Sequence, residues 1–162
     1  MSNISGTLFV QTLTCGAFTP PPGCITDNAI QAGADIDTSK LMHRFQPVYC
    51  QPVAATVSAE TKIVHVVYGS TATLNTVEVG LVTANIGAAT ITVDVYVNGS
   101  SILVTPLTIT NSLTAYTITT CDISNQNLVM NNVLEVVVTA SASGGTIGKG
   151  LFVCPQIDEN AN

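Results

Sequence analysis

Apolar and polar positions alternate most cleanly over residues 90–97, where Ile91, Val93, Val95 and Val97 interleave with Thr90, Thr92, Asp94 and Tyr96. A period of two places the aliphatic side chains on one face of a strand and the polar ones on the other. Asn98-Gly99 follows, the dipeptide favoured in type I′ turns because both central residues need positive φ. A two-residue turn there sets Val97 against Ser100, Val95 against Ile102 and Val93 against Val104, so the apolar positions of both strands share a face. Pro106 shifts the aliphatic parity between Val104 and Leu107, which predicts a bulge or an edge within a strand over residues 101–109. The same patterning predicts strands over residues 62–68, 73–84, 113–119, 133–140 and 148–157. Gly69-Ser70, Asn85-Ile86-Gly87, Asn131-Asn132 and Gly144-Gly145 punctuate them. Val133–Val138 is aliphatic on both parities, as befits a central strand or one covered at an interface; left on an open edge it invites aggregation.

Short strands spaced about ten residues apart, with no helical period between them, indicate an all-β antiparallel sandwich or barrel of about seven or eight strands. Residues 1–55 differ. They hold five of the seven prolines, including Pro20-Pro21-Pro22, which cannot lie inside a helix or central strand. They are expected to form an extended N-terminal arm with short strands near residues 7–15 and 46–53, and a helical turn near Asp37–Leu41. Residues 56–162 form the sandwich domain.

Composition narrows the function. Charged residues make up 9% of the chain and the formal net charge is −6. Thr and Val dominate, so the exterior is polar through uncharged groups, as suits a surface packed against copies of itself. The four basic residues are scattered and leave no electrostatic footprint for nucleic acid. Between Asp94 and Asp122 no residue is charged, but Thr, Ser, Asn and Pro interrupt the stretch, so no membrane span is expected. No Lys or Arg precedes Lys40, so a secretory signal is not expected, and the Thr12-Leu13-Thr14-Cys15 segment is a poor lipoprotein site. Synthesis in a reducing cytoplasm follows, with Cys121 and Cys154 as small apolar fillers; Cys15 and Cys24 could bridge under oxidising conditions.

Candidate chemistry is sparse. His43 and His65 are the only histidines, and mid-strand His65 reads as a satisfied side chain on the less buried face. Asp94 points away from the aliphatic face beside Tyr96 and suits cross-strand hydrogen bonding better than acid–base work. Asp35 and Asp37 supply too few oxygens for a hard cation. None of the five cysteines forms a Cys-x-x-Cys pair, so no metal site is expected. Gly144-Gly145 and Gly148 lack the following helix of a phosphate loop. No catalytic constellation and no cofactor motif is expected, and the chain is not read as an enzyme. Lys40, Met42, His43, Arg44 and Phe45 concentrate half the basic charge between apolar side chains, as either a solvated corner or a docking patch for an acidic partner surface.

Val93-Asp94-Val95-Tyr96-Val97-Asn98-Gly99-Ser100-Ser101-Ile102 resembles a signature of jelly-roll sandwich domains in virion proteins of tailed bacteriophages. Val133–Thr139, Ala34–Arg44 and Gly148–Phe152 are similar to further elements of those proteins, in the same order, over residues 34–157. Asn132 departs from the pattern, which has Asp there, and the Cys- and Pro-bearing N-terminus has no counterpart. The resemblance implies a capsid decoration, or cement, protein that sits on the outer shell as a homotrimer, clamps major capsid proteins and is made in the host cytoplasm. A carbohydrate-binding or host-attachment sandwich, or a head-fibre, collar or tail protein, is the alternative. The lack of Trp disfavours sugar stacking.

Overall fold

The structure, a computed structural model, describes residues 42–160. The expected strand near residues 7–15, the triple proline, Cys15, Cys24, Asp35, Asp37 and Lys40 lie outside them.

Among the described residues eleven strands run β1 (Met42–Phe45), β2 (Tyr49–Cys50), β3 (Glu60–Val66), β4 (Thr71–Thr83), β5 (Thr90–Val97), β6 (Ser100–Ser101), β7 (Leu107–Ile109), β8 (Ile118–Thr120), β9 (Asn127–Val129), β10 (Val133–Ser141) and β11 (Lys149–Asn160). All pairings are antiparallel. In the first sheet β1 and β2 share one side of β11, β4 lies on the other, and β8 and β9 share the far side of β4. In the second sheet β3, β10 and β5 lie side by side, with β6 and β7 sharing the free side of β5. Treating each shared side as one interrupted strand leaves eight strand paths, four per sheet. The chain crosses between sheets at every step except β5 to β6/β7, which is the jelly-roll winding. The all-β sandwich expected from periodicity is therefore the fold.

The core fills the space between the sheets. Leu74, Val77, Val79 and Leu81 of β4 and Leu151, Val153 and Ile157 of β11 face Ile91, Val93 and Val95 of β5 and Leu134, Val136 and Val138 of β10. Each such side chain contributes about 1.5–3 kcal/mol by leaving water. β10 is central, as its composition suggested, but only Leu134, Val136 and Val138 are buried; Val133, Glu135 and Val137 on its outer side are half-buried.

The hairpin turn forms as expected, with Asn98 at φ 50° and Gly99 at φ 80°. Val97 opposes Ser100, and Ile102 donates its amide to Val95 O at 3.0 Å. Beyond that the expected register fails, because Val93 opposes Leu107, not Val104. The segment before Pro106 leaves β5 to meet the chain near Ile123, where the Ile102 carbonyl accepts hydrogen bonds from Ser124 N and Oγ, both at 2.8 Å. The Val95 amide donates instead to Asp94 Oδ1 at 2.8 Å, and Ser101 Oγ donates to the same oxygen at 2.8 Å. Asp94 makes the cross-strand bond foreseen for it. It is nevertheless buried, so it is not free for a neighbour. The strand expected over residues 113–119 is mostly turn, shrinking to β8, and β9 had no periodic signal.

Candidate contact surface

β1 is the edge of the first sheet and carries four of the five candidate contact residues. Met42 opposes Asn160, His43 opposes Glu159, Arg44 opposes Asp158 and Phe45 opposes Ile157. All four β1 side chains are exposed. Alternation splits them. Ile157 and Glu159 are buried on the inner face of β11, so His43 and Phe45 share the inner side while Met42 and Arg44 share the outer.

On the outer side Arg44 is already engaged. Its Nε donates to Asp158 Oδ1 at 2.7 Å and its Nη2 to Oδ2 at 2.9 Å, the bidentate geometry that suits a guanidinium fork. Hydrogen bonds from Arg44 and then Asn75 hold the Asp158 carboxyl down at about 2. Half the positive charge read as a docking patch is thus compensated within the sheet. Met42 remains displayed, 65% exposed, in a register row with Asn160, Thr71 and Val129 across four strands; Val129 is 54% exposed. The outer surface here is more apolar than cationic.

On the inner side one histidine, His65, meets a buried carboxylate, and His43 stands opposite that carboxylate's residue in the strand register. His65 of β3 opposes fully buried Leu134, so it lies on the core-facing side of its strand rather than the less buried face. Its Nε2 pairs with Glu159 Oε1, and the amides of Tyr68 and Gly69 donate to Glu159 Oε2 at 3.1 and 2.8 Å. The Phe45 ring packs against His65 at a tilt of 41°, with centroids 5.2 Å apart, and its centroid lies 6.5 Å from that of His43. Glu159 therefore joins the last strand of the first sheet to β3 of the second. Burial opposes its ionisation, but the hydrogen bonds from His65, Gly69 and Tyr68 outweigh that and keep its carboxyl below the ordinary glutamate range. Gly69 has no alternative, since a Cβ there would lie 2.2 Å from Asn160 O.

The following strand is pinned by a second polar group. Tyr49 donates to Glu60 Oε2 at 2.7 Å, and Gln51 Nε2 donates to Tyr49 Oη and Ser58 O, each at 2.8 Å. Burial, more than the Glu60 bond, pushes the Tyr49 hydroxyl up to about 12. Elsewhere Cys50, Cys121 and Cys154 are free thiols, and burial raises Cys121 to about 11. Among the described residues no group of three or more His, Cys, Asp or Glu is arranged to hold a metal ion. No described helix is long and apolar enough to cross a membrane.

Glu159 was overlooked at the level of sequence, although its parity gave a signal. It continues the inward positions Leu151, Val153, Pro155 and Ile157, and an acid at a core-facing position requires a donor.

No protein-family model matches the sequence, and no curated protein matches it. Among solved structures, the chain is similar to one of Desmodium yellow mottle tymovirus, at 8% identity and a TM-score of 0.33, covering 99% of this chain and 95% of that one. It is also similar to one of infectious bursal disease virus strain Gt, at 14% identity and a TM-score of 0.24, covering 77% of this chain and 37% of that one.

Proposed function

We propose that the chain is a structural virion protein: a non-catalytic jelly roll that decorates a phage shell, binding the outer surface of major capsid proteins as a homotrimer. The observation that carries this reading is the edge strand β1. Residues of the phage-like Ala34–Arg44 segment lead directly into it, and it displays Met42 and Phe45 at the rim of an otherwise sparsely charged sandwich. An exposed apolar rim of this kind serves contact with another protein surface. Lys40, Met42, His43, Arg44 and Phe45 are the proposed contact residues, with Met42 and Lys40 as the groups to test. Arg44 is a poor probe, since reversing its charge would set it against Asp158 within the same sheet.

Purified particles carrying the protein are expected to rupture at a higher temperature than particles stripped of it. Met42→Asp combined with Lys40→Glu should lower occupancy on the particle while leaving the melting curve and oligomeric state of the free protein unchanged. Absence of the chain from purified virions overturns the reading. Density at the collar, tail or fibre would move the protein within the virion and overturn shell decoration. Specific binding on a glycan array would favour host attachment.

A further inference from the structure

We propose that Asn98 is a deamidation site whose rate is set by how often the β5–β6 hairpin opens, and that its isoaspartyl product then prevents the hairpin from closing in its original form. Asn98-Gly99 is the only Asn-Gly in the sequence. Gly99 has no side chain to shield its amide nitrogen, and the space beside its Cα is open, with nothing within 4 Å of a built Cβ. The chemistry is self-contained. The Gly99 nitrogen attacks Asn98 Cγ, a carbon–nitrogen bond closes a five-membered imide, and the side-chain amide leaves as ammonia. Water then opens the imide at either carbonyl, leaving an aspartyl or isoaspartyl residue and one extra negative charge.

The folded turn resists the first step in two ways. Ring closure requires Asn98 to leave the left-handed conformation, φ 50°, that the type I′ turn demands. It also requires the side-chain carbonyl to move, and Asn98 Oδ1 accepts the Val133 amide at 2.9 Å while the Asn98 amide donates to Val133 O at 3.0 Å. These two bonds extend the β5–β10 ladder one place beyond Leu134–Val97. Local opening of the turn therefore precedes attack. An isoaspartyl product adds a backbone carbon, so it can rebuild neither the two-residue turn nor the bond to Val133. The inference is independent of the virion reading.

The full-length protein, folded and in urea, is incubated at mildly alkaline pH, and peptides spanning residues 98–99 are analysed for conversion and isoaspartyl content. Folded chains are expected to convert at least tenfold more slowly than unfolded ones, as for a hairpin open less than about a tenth of the time. Val133→Pro removes the amide donor at the first residue of a strand, where proline is best tolerated. It should speed conversion in chains that circular dichroism shows to be folded. Equal rates in folded and unfolded protein overturn the proposal, as does a lack of product in the unfolded chain. If Val133→Pro does not fold, the comparison of folded with unfolded wild-type protein still decides.

Discussion

Glu159 is buried and takes hydrogen bonds from three groups, and its removal should be felt accordingly. Glu159→Ala would leave His65 and the Tyr68 and Gly69 amides facing a gap. A buried donor left unsatisfied costs about 1–3 kcal/mol, and urea denaturation should report a loss of at least that size. A loss under about 1 kcal/mol, the range of an exposed pair, would mean that water already reaches the pair. The pH dependence follows from the same groups. Asp158 and Glu159 both ionise more readily folded than unfolded. Their stabilisation is therefore complete above the ordinary carboxylate range and is lost as pH falls through the depressed folded values, to about 2 for Asp158. Acid unfolding of Glu159→Gln should be shallower over that window than that of the wild type. An identical acid limb would show that Glu159 plays no part in it.

At the level of elements, the interruption between β6 and β7 is held by a substitution of acceptors. Ile102 gives its carbonyl to Ser124, and Asp94 takes the Val95 amide that would otherwise be stranded. Asp94→Ala should cost about 1–3 kcal/mol, the usual penalty for an unsatisfied buried donor; melting that matched wild type would mean another acceptor steps in. A second element-level test lies on the outer face of the first sheet. The Phe152 ring lies over Gly80, where a built Cβ would come within 2.3 Å of Phe152 Cζ. Gly80→Ala is expected to destabilise by about 1–3 kcal/mol through overpacking. Adding Phe152→Ala should recover part of that loss, and strict additivity of the two changes would show that ring and glycine do not touch. β5, β10, β11 and the Asn98-Gly99 turn were legible because each is specified by a local pattern: strict alternation, a dense aliphatic run or a dipeptide that demands positive φ. β9 was not, and β8 was read too long and too early, because three-residue strands complete less than two periods. The true partner of Val93 was hidden because it depends on Ser124, which lies far along the chain from Ile102. The Glu159 cluster draws on β1, β3 and β11, and no single window of sequence contains it.

For the molecule as a whole, the jelly-roll winding makes nearly every sheet pairing long-range. Topologies dominated by such contacts fold in milliseconds to seconds, not microseconds. Stopped-flow refolding of this chain should fall in that slower range, and a microsecond phase carrying the full amplitude would contradict the topology. The winding also brings Met42 opposite Asn160, with Arg44 and Asp158 two residues further along the same pair of strands. This has a mechanical consequence. Tension applied at residues 42 and 160 would act across neighbouring backbones at one end of a ladder, so its hydrogen bonds would be loaded one after another. β1 would peel from β11 like tape lifted at a corner, with the Arg44–Asp158 clasp as the first firm resistance. A domain pulled between residue 42 and an interior strand would instead load many bonds at once. In a single-molecule pulling experiment the first geometry should yield at the lower force, and Arg44→Ala should lower it further.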